Sequence, residues 1–196
     1  MFHISNGNSK VGHVPNCSLT PGRSCSAMAC KTCLKEGCYA CKSYRQYPNV
    51  RAAWDENTNM ALTDLMALKA ELMEYFGSLS APRYFRVHVG GDFITAAYAK
   101  MWADVARANP HTNFLAYTKQ FDNIRGINFP ENFSLVLSDW QGCEIPEDLQ
   151  KLYPVAYCVP TVADAHANTF MCQGNCDKCG KCWHLKADES VTFIKH

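Results

Sequence analysis

The sequence lacks an excess of charge of either sign: 19 Lys and Arg against 18 Asp and Glu leave a net charge of +1 at pH 7. A protein that binds DNA or RNA usually carries a positive field, which displaces the counterions of the phosphates. The balanced composition therefore predicts that nucleic acid is not a partner. The chain also has no internal repeat, and its 47% hydrophobic and 19% charged residues are typical of a globular protein.

Long apolar runs are missing too. No stretch approaches the roughly 18 consecutive apolar residues of a membrane helix, and residues 1–8 have neither the basic nor the apolar part of a secretory signal. These absences predict a cytoplasmic protein with no membrane partner. A length of 196 residues is sufficient for one substantial core, so we expect a single domain over residues 1–196.

Cysteine, in contrast, is abundant. Twelve cysteines in a reducing cytoplasm are not expected to pair as disulfides, so metal ligation becomes the leading interpretation. Their distribution divides the domain into a cysteine-rich segment over 1–50, a core over 51–165 with two cysteines, and a second cysteine-rich segment over 166–196.

The carboxyl-terminal segment packs four thiols into eleven residues as Cys172-x3-Cys176-x2-Cys179-x2-Cys182. Four thiolates complete a [4Fe–4S] cluster, and these gaps reverse the order of the ferredoxin run C-x2-C-x2-C-x3-C. A four-thiolate zinc site and redox-active thiols are the alternatives. Because three short gaps in succession crowd a single tetrahedral ion, the spacing favours an iron–sulfur cluster.

The amino-terminal segment supplies more thiols than one cluster needs. Its six cysteines are Cys17, Cys25, Cys30, Cys33, Cys38 and Cys41. The two in surplus could join Cys143 and Cys158 in a third set of four, so the sequence predicts two or three [4Fe–4S] clusters. Cys158 lies in an apolar run, where a cysteine is as often a small buried hydrophobe as a ligand.

Between these segments the sequence predicts alternating helices and strands. Apolar periodicity predicts a helix over 58–76, and Thr95 can cap another that ends at Asn109-Pro110. Four runs rich in β-formers predict strands over 84–89, 113–118, 133–138 and 155–159. Strands joined by helices favour a parallel α/β sheet, which we expect to form an incomplete TIM-like barrel with the cysteine-rich segments as extensions.

Polar residues follow several of these strands. The candidate catalytic residues are His88, Asp92, Lys119 and Asp139, and the candidate cofactor-binding residues are Gly90 and Gly91. In parallel α/β folds, active sites form where the carboxyl ends of the strands meet the loops. On the first strand, alternation places His88 on the same face as Arg86. The alternatives are an ordinary turn at the two glycines and a surface ion pair at Lys119 and Asp139.

Two resemblances rest on these residues. Gly90-Gly91-Asp92 after a strand resembles the Gly-Gly-acidic motif with which radical S-adenosylmethionine enzymes hold the methionine amine of their cofactor. The chain as a whole is similar to the gene-product-88 family of phage and bacterial proteins. The matching segments are Gly37-Cys38-Tyr39-Ala40, Tyr47-Pro48-Asn49-Val50, Phe85 to Phe93, and Cys176-x2-Cys179-x2-Cys182-Trp183.

The family resemblance implies a phage-type protein of the host-cell cytoplasm, with iron–sulfur clusters and a radical-enzyme-like barrel. The cysteine order departs from the radical-enzyme pattern, which places C-x3-C-x2-C near the start of the barrel and leaves one iron open. Here that triplet is Cys172, Cys176 and Cys179, near the end, and Cys182 follows it at once. A fourth thiol would close the open iron.

The leading hypothesis is an iron–sulfur protein, possessing oxidoreductase or electron-transfer chemistry, whose partner is an electron donor or acceptor protein or a small-molecule substrate. One alternative is a radical enzyme with S-adenosylmethionine as its cofactor. The other is a non-enzymatic zinc-binding module that presents a surface to another protein.

Overall fold

The computed structural model describes residues 1–7, 11–35 and 37–195. The helices are α1 (Ala27–Lys35), α2 (Tyr39–Gln46), α3 (Pro48–Thr63), α4 (Leu65–Gly77), α5 (Ala96–Ala108), α6 (Phe121–Ile124), α7 (Glu147–Gln150) and α8 (Cys176–Cys179). The strands are β1 (Tyr84–Val87), β2 (Asn113–Thr118), β3 (Phe133–Ser138), β4 (Val155–Val159), β5 (Phe170–Met171) and β6 (Ser190–Ile194). Among the described residues, no helix is both long enough and apolar enough to cross a membrane.

The six strands form one sheet in the order β1-β2-β3-β4-β6-β5, and every pairing is parallel. The bounds of β2, β3 and β4 agree with the sequence prediction, whereas β1 ends at Val87, two residues early. The prediction of a parallel α/β fold is confirmed. The sequence did not predict the two strands after β4. One of them, β5, has only two residues, and the other, β6, follows a loop without an apolar helix.

The amino-terminal segment runs beside β1. Asn16 forms a parallel bridge with Arg86, and the Arg86 amide donates to the Pro15 carbonyl at 3.0 Å. Further along, the Val89 amide donates to the Cys17 carbonyl at 3.0 Å and the Leu19 amide to the Gly90 carbonyl at 2.9 Å. The segment that carries the amino-terminal cysteines therefore starts at the carboxyl end of β1, where active sites form in parallel sheets.

The helix predicted over 58–76 is wrong as one element, because the chain breaks at Asp64. This residue leaves the helical conformation with φ −145° and ψ 68°, and its side chain accepts a hydrogen bond from the Ala67 amide at 3.0 Å. A carboxylate that caps the second helix competes with a continuous helix, which is why aspartate favours such positions. The helix capped by Thr95 is confirmed: its hydroxyl accepts from the Tyr98 amide at 3.1 Å, and α5 ends before Asn109.

One face of the sheet, the helix face, carries the larger core. Phe85, Phe114 and Leu135 of the strands pack there with Leu72 of α4 and Trp102 of α5. The short helix α6 adds Phe121 and Ile124 to the same cluster, and α7 adds Leu149. The helices that connect β1 through β4 therefore lie on one side of the sheet.

The opposite face, the cysteine face, carries Leu115, Val136 and Val191. It is covered by the chain after β5, from which Trp183 and Leu185 pack on these residues. The Trp183 indole nitrogen donates to the Phe85 carbonyl at 3.3 Å, which fixes this segment across the first strand. Carboxyl-terminal cysteines thus lie against the sheet itself.

Candidate metal centres

Four of the six amino-terminal cysteines lie on two short helices or at their start. Cys30 and Cys33 are one turn apart on α1, while Cys38 and Cys41 are one turn apart at the start of α2. The Cys38 amide donates to the Cys33 carbonyl at 3.0 Å, and Gly37 allows the connection to turn with φ +83°. Three-residue spacing on a helix places side chains on one face.

The thiols of this group affect one another. The pKa of Cys30 is raised, first by burial and then by the charges of Cys33, Cys41 and Cys38. Burial also raises the pKa of Cys41 to about 11, with Cys38 as the next cause. Cys25 belongs to the same neighbourhood, because burial raises its pKa to about 12 and Cys30 and Cys38 raise it further. We call these five residues, Cys25, Cys30, Cys33, Cys38 and Cys41, the amino-terminal thiol group.

This group lies at the carboxyl ends of the first strands. The Tyr39 hydroxyl donates to the Val89 carbonyl just after β1. From the far side, the Thr32 hydroxyl donates to the Gln141 carbonyl at 3.0 Å and accepts from the Trp140 indole at 2.8 Å, beyond β3. Contacts with two strand ends place the group where parallel α/β enzymes have their active sites.

The carboxyl-terminal thiol group consists of Cys172, Cys176, Cys179 and Cys182. Burial raises the pKa of Cys176, and the charges of Cys172 and Cys179 raise it further. Burial likewise raises the pKa of Cys182 to about 11, with smaller increases from Cys172 and Cys176. The Cys182 carbonyl accepts from the Ser134 hydroxyl at 2.7 Å, which anchors the group to β3.

Arg86 opposes these increases from the sheet. Its guanidinium charge lowers the pKa of both Cys176 and Cys182. The guanidinium carbon lies 4.2 Å from the ring centroid of Tyr117, and a hydrogen bond from the Tyr117 hydroxyl also lowers the pKa of Cys182. The Arg86 Nε is buried without a hydrogen-bond partner. A positive charge thus lies beside the carboxyl-terminal thiols on the cysteine face.

Three further cysteines lie outside both thiol groups. Cys17 is 1% exposed in the helix-face core, and burial raises its pKa to about 12. Cys143 is also buried, with its sulfur 3.7 Å from the Lys119 carbonyl. Cys158 is exposed on β4, so the alternative that it is a buried hydrophobe is wrong. Metal ligation by these three residues stays a prediction.

Close packing explains the glycine pair after β1. A Cβ on Gly91 would lie 2.5 Å from the Ser24 hydroxyl and 2.8 Å from Leu19 Cβ, and Gly91 has φ +86°. A Cβ on Gly90 would lie 3.1 Å from the Trp54 ring. Larger residues would therefore push the amino-terminal segment away from the end of β1, whatever else the glycines do.

Asp92 ties two strand ends together. One carboxylate oxygen accepts from the Thr118 hydroxyl and from the Phe93 amide, each at 2.7 Å, and the other accepts from the Lys119 amide at 2.7 Å. Burial raises the pKa of Asp92, while these hydrogen bonds lower it. Both oxygens are thus engaged within the protein.

His88 does not share a face with Arg86, contrary to the alternation expected for an extended strand. The residue has φ +61°, which ends β1 and turns its ring toward Phe93 and Tyr98. Its Nε2 lies 3.0 Å from the Tyr98 hydroxyl oxygen, while its Nδ1 is buried without a partner. Burial, and to a lesser degree Arg86, lowers the pKa of His88 to about 3. The ring is therefore neutral and belongs to the helix-face core.

Lys119 and Asp139 do not form an ion pair within 4 Å among the described residues. The Lys119 ammonium is 5.1 Å from the ring centroid of Trp140. The Asp139 side chain is exposed, and its amide donates to the Ala156 carbonyl at 2.8 Å. Of the four candidate catalytic residues, only Asp92 and Lys119 are in contact in the described structure, through the Lys119 amide. His88 and Asp139 do not join them.

The donor set at both thiol groups is sulfur. Within the described residues, no three or more His, Cys, Asp or Glu side chains converge as ligands of one ion. The ligands of a cubane lie at its corners, with irons and sulfides between them, so they do not need to converge on one point. Thiolates crowded in a buried place repel each other, and a cationic centre removes that cost. The residues of both groups therefore fit a cluster chemically.

The sequence prediction missed Tyr117 as a neighbour of the carboxyl-terminal thiols. In the observed register Arg86 pairs with Leu115, so residues two positions later on β2 lie diagonally across from Arg86 on the same face. Applying alternation to both strands together would have found Tyr117. The register itself is not readable from either strand alone.

Comparison with known proteins identifies the family. The family model described as Gene product 88 matches residues 4–185. The chain belongs to the gene product 88 family. This membership confirms the family resemblance noted from the cysteine and strand segments, and it makes the chain a relative of phage gene products.

Two curated members are similar to this chain. The Gene 88 protein of Mycobacterium phage L5 is 30% identical over 126 residues, which are 60% of this chain and 53% of the relative. The Gene 88 protein of Mycobacterium phage D29 is 30% identical over 126 residues, which are 60% of this chain and 52% of the relative. The aligned part thus spans about half the length of the curated relatives. No solved structure matches the chain.

Proposed function

We propose that this member of the gene product 88 family is an iron–sulfur protein with two cysteine-ligated centres that carry one-electron chemistry. The observation that supports the proposal is the presence of two separate groups of neighbouring thiols. Burial and the neighbouring thiols together raise the pKa of Cys30 and Cys41 in the first group and of Cys176 and Cys182 in the second. Buried neighbouring thiols repel one another once they lose their protons, and a shared cation that binds thiolates removes that cost.

Iron–sulfur clusters account for the groups better than zinc. The amino-terminal thiol group has five members and the carboxyl-terminal group four, so each has the four thiolates of a cubane. Structural zinc sites usually join two C-x2-C pairs across a longer loop. In the carboxyl-terminal group all four cysteines fall within eleven residues.

When bound, such clusters supply one-electron transfer, and the chain around them sets its energetics. Arg86 places a positive charge beside the carboxyl-terminal group, where it favours an added electron. Trp183 is 5% exposed and packs beside that group, which excludes water. Burial, hydrogen bonds and nearby charge are the means by which proteins adjust cluster potential.

The sheet is part of an incomplete TIM-like barrel in this proposal. Support comes from β1 to β4, which are parallel and lie side by side in sequence order. Support also comes from α5, α6 and α7, which connect these four strands and lie on one face. Doubly wound sheets instead reverse strand order and place helices on both faces. An experimental structure with a flat or oppositely curved sheet would argue against the barrel.

A radical S-adenosylmethionine enzyme is the second candidate. Its support is the position of the amino-terminal thiol group, which lies beside the Gly90-Gly91 turn at the carboxyl end of β1. Against it, the Asp92 carboxylate already accepts three hydrogen bonds inside the protein. The Gly90 carbonyl accepts from Leu19. Release of 5′-deoxyadenosine from S-adenosylmethionine by the anaerobically reduced protein would favour this candidate.

Metal analysis tests the proposal. Protein purified without oxygen should contain iron and acid-labile sulfide in equal amounts, about eight of each per chain for two cubanes. Zinc without sulfide would identify the alternative, a zinc-binding module. Iron without sulfide would exclude clusters and also contradict the proposal.

A further inference from the structure

Positive charge is concentrated around the amino-terminal cysteines. Between residues 21 and 51 the sequence has six Lys and Arg and a single acidic residue, Glu36. The whole chain has nearly equal numbers, 19 basic and 18 acidic residues, so the remainder carries an excess of acids. The net charge of the chain conceals this separation, which creates a local positive field.

Most of the basic side chains described in this segment can be placed relative to solvent. Five of them, Arg23, Lys31, Lys42, Arg45 and Arg51, are exposed. Within the described part of the chain, none of the five has a carboxylate within 4 Å.

The acid that lies nearest along α3 is used inside the protein. Asp55 follows Arg51 by one helical turn, but its carboxylate accepts from the Tyr44 hydroxyl at 2.8 Å and from the Thr20 hydroxyl at 2.6 Å. It is therefore directed toward the protein, and the cations of the segment remain available to an external partner.

A groove connects this basic surface with the thiols. It has a volume of about 450 Å³ and is lined by Gly37, Cys38, Cys41, Lys42, Arg45 and Gln46. Cys41 and Arg45 are four residues apart on α2, so they share a helix face. A partner that binds the two cations therefore lies directly over two members of the thiol group.

Apolar side chains are exposed in the same segment. Met28 is 56% exposed, Tyr39 59% and Tyr47 48%. Methionine, tyrosine and arginine are the residue types enriched in protein interfaces. Apolar residues among like charges are typical of docking surfaces at which charge guides approach and apolar contact holds the complex.

We propose that the groove, with the exposed cations Lys42 and Arg45 in its lining, docks an acidic one-electron carrier protein. The inference rests on the proposed function, because the carrier delivers its electron to the centre held by the amino-terminal thiol group. In the step the carrier is oxidised by one electron and the centre is reduced by one electron, and no bond is made or broken. Complementary charge would orient the carrier so that its redox group faces the groove.

The experiment measures the reduction of the anaerobic iron-loaded protein by reduced plant-type ferredoxin, a small acidic carrier, in a stopped-flow spectrometer. The second-order rate should fall steeply with ionic strength, because screening weakens attraction between opposite charges. The double variant Lys42→Glu/Arg45→Glu should slow it about tenfold or more, because like charges then meet at the groove. Reduction by dithionite, which is small, should change far less.

A matched control variant and the iron content distinguish failure of the docking proposal from failure of the proposed function. Lys151→Glu/Lys186→Glu makes the same change in net charge at two exposed residues outside the segment, and it should leave the ferredoxin rate within about twofold. Equal rates for both double variants would overturn the docking proposal alone. The docking proposal would also be overturned by a second result: the protein binds duplex DNA, and Lys42→Glu/Arg45→Glu abolishes that binding without changing the ferredoxin rate. Purified protein without iron would overturn the proposed function and this inference together.

Discussion

The guanidinium carbon of Arg86 lies 4.2 Å from the ring centroid of Tyr117. Both residues project from neighbouring strands onto the cysteine face, where they lower the pKa of Cys182. Within the described part of the chain, the buried Nε of Arg86 has no hydrogen-bond partner, and a buried donor without an acceptor is costly. An anionic thiolate-bound cluster beside Arg86 would supply the missing negative charge.

Arg86→Gln should lower the reduction potential of the carboxyl-terminal centre. Reduction adds negative charge, which Arg86 stabilises, so its loss should make reduction about tenfold less favourable, or about 59 mV for one electron. A redox titration followed by electron paramagnetic resonance measures this shift. Arg83→Gln removes the same charge from an exposed position and serves as the control. Equal potentials in the Arg86 variant and the unmodified protein would contradict this role.

The two thiol groups should lose their metal independently. Cys30→Ser should remove the iron of the amino-terminal centre, and Cys176→Ser that of the carboxyl-terminal centre, each leaving about half of the iron and sulfide. Each variant is the control for the other, because both exchange one thiol for a hydroxyl. Iron and sulfide assays on anaerobic protein check the expectation. Complete loss in both variants would indicate one shared site instead.

Cys17→Ala should keep the full iron content and lose stability. Cys17 is 1% exposed among apolar residues, and none of the other cysteines contributes to the rise of its pKa. A buried thiol behaves as a small hydrophobe, so its removal should cost about 1–2 kcal/mol of unfolding free energy. Denaturant unfolding and an iron assay measure the two quantities separately. Loss of iron would make Cys17 a ligand.

Asp92→Asn should destabilise the fold by about 1–3 kcal/mol, because one of the acceptor oxygens that join β1 to β2 becomes a donor. Thr118→Val removes the partner hydroxyl, so the double variant should lose less than the two single variants together. Denaturant unfolding of all four proteins gives the coupling. Additive losses would mean that the 2.7 Å contact between Asp92 and Thr118 contributes no coupling energy.

Much of the core could be predicted from local pattern. Runs rich in β-formers predicted β2, β3 and β4, and the Thr95 cap predicted the start of α5. The break at Asp64 was not predicted, because apolar periodicity continues on both sides of it. The capping contact that causes the break is a property of the folded chain. The short β5 was not predicted for a different reason. Two residues are too few to show a periodic pattern, and only pairing with β6 makes them a strand.

Part of the candidate site could likewise be predicted from the sequence, and part of it could not. Short gaps between cysteines are a local signal, so both thiol groups could be found without a structure. The partners of each group depend on register and on the path of the amino-terminal segment, which a single strand does not specify. His88 was placed with Arg86 because alternation assumes an extended backbone, and φ +61° breaks that assumption.

Acid should destabilise the protein partly through His88. Its pKa is about 3 in the folded protein against an ordinary value of 6.5, so the unfolded chain binds a proton more readily. Stability is therefore full above pH 6.5 and falls as pH decreases toward 3, by about 2–3 kcal/mol at about pH 4.5. His88→Asn, which tolerates positive φ, should reduce the difference in unfolding free energy between pH 7 and about pH 4.5. An unchanged difference would exclude this contribution.

The central claim is that the chain holds two iron–sulfur centres, one in each thiol group. Mössbauer spectroscopy of anaerobic protein labelled with ⁵⁷Fe tests it most directly, because it identifies cluster type and counts iron in each. The account predicts two [4Fe–4S] components in about equal amounts, one missing from Cys30→Ser and the other from Cys176→Ser. A spectrum without cluster iron, from protein that is folded and contains zinc, would contradict it.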